Sequence, residues 1–149
     1  MGEIDIEDLI LTPLKRILHP KGDILHALKK SDVGYSSFGE AYFSTINYGE
    51  IKGWNKHKLM TLNLVVPVGE VTFVACNKGI NDQSKSQFFK ITLSQDNYKR
   101  LTVPPGIWMA FKGNGHKTNL ILNIASMEHD SNEIEKIDLE KIPYDFDSD

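Results

Sequence analysis

Short apolar runs, separated by polar breaks that often contain glycine, recur along most of the chain. The runs are rich in β-branched and aromatic residues, a composition that predicts strands. Turn signals return roughly every eight to twelve residues, and no segment keeps a sustained helical period. The pattern therefore predicts an all-β fold, a closed or sandwiched antiparallel one. The runs interpreted as strands are 40–46, 62–66, 70–74, 87–93, 100–103, 107–111 and 119–125.

The breaks between these runs have the chemistry of turns and loops. Pro67-Val68-Gly69 separates two strands, and polar loops are expected over 77–83 and 112–116. Short helices are expected at 6–10 and at 132–136. Because no internal repeat or linker interrupts the pattern, we expect one domain over 1–149. Its predicted parts are an N-terminal arm (1–20), a barrel (21–126) and an acidic C-terminal segment (127–149).

Composition narrows the class of protein. The 149 residues are 40% hydrophobic and 25% charged, which is typical of one globular domain with a substantial core. The formal net charge of -3 gives no general attraction for nucleic acid, so no nucleic-acid partner is expected. Residues 128–149 hold nine Asp or Glu and two Lys, and this end is expected to be solvated.

Cys76 is the only cysteine, which excludes an internal disulfide, and its apolar neighbours predict a buried strand position. No apolar run approaches the ~18 residues that span a bilayer. The N-terminal sequence MGEIDIEDLI is too acidic for a signal peptide. We therefore expect a cytoplasmic protein with no membrane partner.

The most distinctive cluster is Lys52-Gly53-Trp54-Asn55-Lys56-His57-Lys58, which runs into the apolar segment 59–71. It places an imidazole, an amide, an indole and three ammonium groups at the mouth of a predicted strand. Such a cluster indicates either a binding or catalytic site or a decorated surface loop.

Two segments carry a family resemblance. STINYGEIKGWNKHK resembles the stretch ending in Arg-Gly-Leu-His in the dTDP-4-dehydrorhamnose 3,5-epimerases. LSQDNYKRLTVPPGIWMAF resembles that family's pattern of Leu-Ser, an Asn, then Leu-x-Ile-Pro-x-Gly-Phe-Ala-His-Gly-Phe, and Val68-Gly69-Glu70-Val71 matches its Val-Gly-Glu-Val. Order and spacing agree from about residue 21 to residue 126. The resemblance implies a cupin-type jelly roll, a nucleotide-sugar substrate in the barrel mouth, and a homodimer.

The general cupin metal pattern falls on Asn55, His57, Leu62 and Met109. A first-row divalent metal needs three or four converging N, O or S donors. One imidazole with an amide, an isobutyl group and a thioether does not supply them. We expect no metal and no other cofactor.

The 3,5-epimerases use a His base oriented by an Asp, a Lys near the developing enolate oxygen, and a Tyr acid. Their base falls on Asn55, which has no basic lone pair, and their Lys falls on Leu62. Their Tyr falls at Met127 or Glu128, with His129 adjacent as a candidate acid or base. This resemblance therefore implies a divergent member that lacks the usual catalytic set.

The loop also resembles Arg-Gly-x-His-Ala-His-Lys of the dTDP-sugar 3,4-ketoisomerases. His57 and Lys58 match, while Asn55 replaces the first His and Lys52 replaces the Arg. Because side chains alternate along a strand, Asn55 and His57 are expected to face the same way, into the barrel.

Two functions remain open. As an enzyme, the protein is a metal-independent epimerase or ketoisomerase of a nucleotide-linked 4-keto sugar, and as a binding protein it holds a sugar nucleotide or another small anion without catalysis. In the enzyme, His57, Asn55 and His129 form the catalytic set, and the expected substrate-binding residues are Lys52, Lys21, Lys58, Trp54 and Trp108. Each of these has a structural alternative: the charged residues as solvated surface, the tryptophans as caps on the core.

Overall fold

The computed structural model describes residues 6–77 and 86–147. Its strands are β1 (Ile10–Pro13), β2 (Arg16–Ile17), β3 (Ile24–Leu25), β4 (Glu40–Thr45), β5 (Ile51–His57), β6 (Leu62–Val68), β7 (Val71–Asn77), β8 (Gln87–Leu93), β9 (Lys99–Val103), β10 (Trp108–Gly113), β11 (Leu120–Ala125) and β12 (Ile134–Lys136). Single 3-10 turns lie at Ile6–Asp8 and Leu139–Lys141. Among the described residues, no helix is long and apolar enough to cross a membrane.

Ten of these strands form two five-stranded antiparallel sheets. The first sheet has the order β1-β9-β6-β11-β4 and the second has the order β12-β5-β10-β7-β8. The core lies between them and includes Leu64, Val66, Phe73 and Leu101. All neighbours except β7 and β8 are non-consecutive in the chain, which is typical of a jelly roll and confirms the predicted fold class.

The predicted strands correspond closely to β4 and β6 through β11, and Cys76 is buried in β7 as expected. The helix predicted at 6–10 is a single 3-10 turn at Ile6–Asp8 followed by β1, and the helix predicted at 132–136 is wrong because residues 134–136 form β12. Pairing of Ile10 with β9 and of β12 with β5 outweighs the weak helical pattern at these positions. The loop expected at 77–83 lies outside the described residues beyond Asn77.

The predicted N-terminal arm is part of the barrel. β1 pairs with β9, with Ile10 opposite Thr102, so it forms the edge strand of the first sheet. Of the strands in the described residues, only the β2–β3 hairpin lies apart from the two large sheets. The boundary expected at residue 20 therefore does not separate an arm from the barrel.

The acidic C-terminal end is solvated at most of its acids, as expected, but its apolar residues are packed. Residues 134–147, which we call the C-terminal strap, begin with the edge strand β12 of the second sheet and then pack on the outer face of that sheet. β12 pairs with β5, and Ile137, Ile142 and Phe146 pack against a buried cluster that contains Trp54. The strap's apolar residues are interspersed with its acids, so the high acidic content hid a packed segment.

Candidate functional site

The cluster that the sequence singled out is strand β5, not a loop. Its register on β10 shifts by one residue, because Met109 lies opposite Asn55 whereas Ala110 lies opposite Gly53. A bulge of this kind reverses the alternation of side chains beyond it. Asn55 and His57 line the interior, as predicted, and Trp54 points to the outer face.

The bulge also brings Lys52 to the inner face. Lys52 lies opposite Phe111, which lines the interior, and residues directly opposite in an antiparallel pair share a face. The Lys52 ammonium donates to the carbonyl oxygen of Thr45 on β4 at 2.8 Å. The Lys52 side chain therefore links β5 of the second sheet to β4 of the first sheet, near one end of the cavity.

The interior holds a cavity of about 100 Å³ between the two sheets. Its walls are largely apolar, with hydroxyl, amide and imidazole groups on β4, β5 and β11. The lining residues are Tyr42, Ser44, Asn55, His57, Leu62, Leu64, Phe73, Met109, Phe111, Ile121 and Asn123. A few polar groups converging in an apolar concavity are typical of a small-molecule site.

His57 is held by Glu133, which the sequence reasoning did not identify. Nδ1 of His57 is hydrogen-bonded to the Glu133 carboxylate, whose side chain is only 2% exposed. That carboxylate also accepts the backbone N–H groups of Leu59 and Met60, each at 3.2 Å. With Nδ1 engaged, Nε2 is the ring nitrogen left to meet a bound molecule.

The pKa of Glu133 reflects these contacts. Burial alone raises the pKa of the Glu133 carboxyl, but the hydrogen bonds from His57, Leu59 and Met60 outweigh it and hold the pKa below its ordinary value. A carboxylate that stays ionised beside Nδ1 favours the tautomer with the proton on Nδ1. That tautomer presents a basic Nε2.

Tyr42 on β4 is a second residue that the sequence reasoning did not single out. It is 44% exposed, and its phenol oxygen accepts a hydrogen bond from Nδ2 of Asn123 at 2.8 Å. Of the described residues that line the cavity, Tyr42 and His57 are the two with titratable side chains. They stand on opposing sheets. Strand alternation could have identified Tyr42 in the sequence, because it places Tyr42 and Ser44 on the same inward face of β4.

The expectation that Trp54 and Trp108 bracket the cavity mouth is wrong. Trp54 is completely buried on the outer face, and its indole N–H donates to the carbonyl oxygens of Leu139 and Ile142. Trp108 belongs to the same outer cluster, and the Lys56 ammonium lies 5.0 Å from its ring centroid. Both indoles anchor the strap, so neither stacks on a ligand in the cavity.

Lys58, Lys21 and His129 also lie away from the cavity lining. The Lys58 ammonium lies 3.9 Å from Glu135 of the strap. Lys21 is exposed between β2 and β3, where its backbone N–H donates to His19. His129 is exposed, and its backbone N–H donates to Glu40. Because these three residues lie beyond the strand ends, strand alternation does not fix their direction, and their roles in binding or catalysis remain predictions.

The four cupin metal positions do converge, because Asn55, His57, Leu62 and Met109 all line the cavity. Their donors do not fit a divalent metal, since His57 is the single strong ligand and its Nδ1 is engaged by Glu133. Within the described residues, no three His, Cys, Asp or Glu side chains form a metal-binding group.

Comparison with known proteins identifies close structural relatives. No family model matches the chain, and no curated protein sequence matches it either. A dTDP sugar isomerase from Desulfovibrio desulfuricans G20 is 31% identical, with a TM-score of 0.87 over 96% of this chain and 94% of that one.

More distant neighbours share the fold. A dTDP-4-dehydrorhamnose 3,5-epimerase from Bacillus anthracis, solved with TDP and PPi, is 19% identical with a TM-score of 0.75 over 91% of this chain and 81% of that one. A sugar 3,4-ketoisomerase from Thermoanaerobacterium thermosaccharolyticum, solved with TDP, is 20% identical with a TM-score of 0.71 over 88% and 89%. With the fold, the cavity and the relative at 31% identity, this chain belongs to the cupin family of dTDP-sugar isomerases and dTDP-4-dehydrorhamnose 3,5-epimerases.

Proposed function

We propose that the protein is a metal-independent epimerase or ketoisomerase of a nucleotide-linked 4-keto sugar, with His57 as the base. The observation that carries this proposal is the His57–Glu133 pair inside the barrel. A general base needs a positioned lone pair and a partner that stabilises the charge it acquires. Nε2 of His57 and the buried carboxylate of Glu133 supply these two requirements.

The reaction begins at the carbon next to the keto group. Nε2 of His57 takes the proton from that carbon, and the C–H electron pair forms a carbon–carbon double bond as the keto oxygen becomes an enolate. The amide of Asn55 and the hydroxyls of Ser44 and Tyr42 line the same cavity and can donate to that oxygen. Low polarity in the rest of the lining strengthens such donation.

Tyr42 is the candidate acid, in place of His129. Because Asn123 donates to the Tyr42 oxygen, the phenol proton is left to be donated to substrate. Tyr42 stands on the sheet that faces His57, so it can deliver a proton to the face of the sugar opposite the base. Delivery of a proton to the same carbon from the opposite face gives epimerisation. Ketoisomerisation results when the proton is delivered to the former carbonyl carbon, while the hydroxyl on the first carbon loses its proton to become the new keto group and the enolate oxygen gains a proton to become a hydroxyl.

The nucleotide is expected outside the small cavity. A volume of about 100 Å³ suits the reacting end of a sugar rather than a base and a diphosphate. We propose that Lys52, on the inner face beside β4, contacts the diphosphate. The relatives solved with TDP support dTDP as the nucleotide.

A binding protein without catalysis is the second candidate. The observation that favours it is the apolar Leu62 in the cavity wall, where the 3,5-epimerase resemblance places a lysine. A pocket without that cation stabilises an enolate less well.

Deuterium wash-in separates the two candidates. The protein is incubated in D2O with dTDP- and UDP-linked 4-keto-6-deoxyglucose, and exchange at carbons 3 and 5 is followed by NMR. Calorimetry with dTDP and UDP is run alongside. Exchange supports the enzyme, nucleotide binding without exchange supports the binding protein, and absence of both overturns the proposed ligand class.

A further inference from the structure

The β2–β3 hairpin presents a surface that is both apolar and basic. Ile17, Leu18 and Ile24 are 36%, 71% and 56% exposed, and every residue from 15 to 24 is exposed. Residues 15–30 hold five Lys or Arg and one Asp, a formal charge of +4, so the rest of the chain carries a formal charge of -7. Exposed apolar side chains grouped on one projection are typical of an interaction surface.

A second exposed apolar surface lies on the outer face of the first sheet. Alternation turns outward the residues of β4 and β11 that lie next to the cavity-lining ones. These residues, which we call the outer β4–β11 patch, are Ala41, Phe43, Leu122 and Ile124. Leu122 lies opposite Phe43, which is 64% exposed, and Ile124 lies opposite Ala41. The four residues therefore form a continuous surface without charge.

The chain covers other parts of its sheets with its own segments. Over β9 and β6, the buried Arg100 guanidinium donates to the carbonyl oxygens of Ala27 and Val33, which holds the segment after the hairpin in place. Over the second sheet, the C-terminal strap packs on Trp54. Phe43 in the patch stays mostly exposed, so the patch differs from these covered surfaces.

The hairpin and the patch of one chain lie too far apart to meet. The hairpin follows β1 at one edge of the first sheet, and β4 forms the opposite edge, about 19 Å away across four strand spacings. Arg16 fixes the hairpin on its own side, because its guanidinium donates to the carbonyl oxygen of Gln95, just before β9, at 2.8 Å. A two-fold axis can place the β1 edge of one copy beside the β4 edge of another, which brings both hairpins to both patches.

Charge complementarity favours a second copy of the chain as the partner. The patch has no charge to repel a basic hairpin. At one end of the patch, Glu40 begins β4 and accepts the backbone N–H of His129, which places Glu128 and Asp130 nearby. A basic hairpin therefore meets an uncharged surface with an acidic border, on a protein whose remaining residues are acidic overall.

We propose that two copies of this chain pack reciprocally, with Ile17, Leu18 and Ile24 of each hairpin on the outer β4–β11 patch of the other copy. The contact is isologous, because each copy contributes one hairpin and one patch. It does not depend on the proposed function, since neither surface belongs to the cavity lining.

Sedimentation velocity on native protein, Leu18→Glu and Phe43→Glu tests the two surfaces separately. The native protein is expected to have the mass of two chains. Each variant places a carboxylate in an apolar contact and should weaken the dimer by at least about tenfold. Leu59→Glu is the matched control, because Leu59 is 68% exposed in the turn after β5 of the second sheet, and it should keep the native mass.

Cross-linking tests whether the hairpin meets the patch. A chain with both Leu18→Cys and Phe43→Cys, treated with a short bis-maleimide, should give a covalent dimer, whereas either single variant should not; Cys76 is buried. Thermal unfolding checks that every variant folds. A native protein of one-chain mass, a dimer that persists in both glutamate variants, or a native dimer without the cross-link overturns this inference. Deuterium exchange tests the proposed function independently, so the two can fail separately.

Discussion

His57 and Glu133 lie far apart in the sequence but act as one unit in the fold. The histidine ends a barrel strand, and the glutamate immediately precedes the strap that pairs with that strand. Three groups donate to the Glu133 carboxylate, which makes it a rigid support for the imidazole. We infer that Glu133 is a positioning residue and that His57 is the group that contacts substrate.

Glu133→Gln is expected to lower stability by about 1–3 kcal/mol near neutral pH, because it weakens hydrogen bonds to a buried carboxylate. The folded-state pKa of Glu133 is depressed, so its contribution is complete above the ordinary carboxyl pKa and is lost as the pH falls through the lowered value. The stability difference between native protein and variant should therefore shrink in acid. Urea unfolding across this pH range measures it.

Glu135→Gln is the matched control for that experiment. Glu135 lies two residues further along, is 42% exposed, and pairs only at the surface with Lys56 and Lys58. Its loss should cost less than about 1 kcal/mol. Glu133→Gln should also slow deuterium exchange by about tenfold or more while Glu135→Gln does not. Equal effects of the two variants would contradict the positioning role.

Among the strands, β5 carries the site on one face and the anchor of the strap on the other. Alternation along the strand turns Asn55 and His57 inward and Trp54 outward, and the bulge before Asn55 turns Lys52 inward as well. The two carbonyl oxygens that accept the Trp54 indole N–H belong to the strap, which follows Glu133 directly. Packing of the strap on the outer face of the sheet therefore holds Glu133, the hydrogen-bond partner of His57, in place.

Trp54→Phe tests the outer-face assignment. Loss of the indole N–H leaves the Leu139 and Ile142 carbonyl oxygens without that donor, so we expect a loss of about 1–3 kcal/mol in the free energy of unfolding. Nucleotide affinity should stay within about twofold of the native value, because the ring does not reach the cavity. Chemical denaturation and calorimetry measure the two quantities. Unchanged stability with lost nucleotide binding would instead show that Trp54 contacts the ligand.

Strand alternation explains what the sequence predicted well. Runs such as 87–93 have a clear strand composition and coincide with β8, and the spacing of Asn55 and His57 placed both on the cavity wall. The same alternation turns Trp54 outward, because it is adjacent to the inward-facing Asn55, so the expectation that its ring lies at the cavity mouth conflicted with the strand pattern itself. The bulge, which is invisible in such a pattern, affects the residues before Trp54, where it brings Lys52 to the inner face. The strap was missed because its apolar residues are dispersed among acids. Glu133 therefore looked like one more solvated charge.

For the protein in its assembled form, the family resemblance implies a homodimer, which remains a prediction. Sedimentation velocity should give a mass about twice that of the 16.9 kDa chain. The mass should hold over a tenfold range of concentration, since the assembly is expected to be stable. A single species of one-chain mass throughout that range would contradict it.

The account depends on His57 as the base that moves the proton, and deuterium wash-in with matched variants tests this directly. Native protein, His57→Asn and His19→Asn are incubated with dTDP-4-keto-6-deoxyglucose in D2O. His19→Asn makes the same substitution at an exposed histidine outside the cavity lining. We expect exchange by the native protein and His19→Asn and none by His57→Asn, with all three still binding dTDP. Exchange by His57→Asn at the native rate would contradict it.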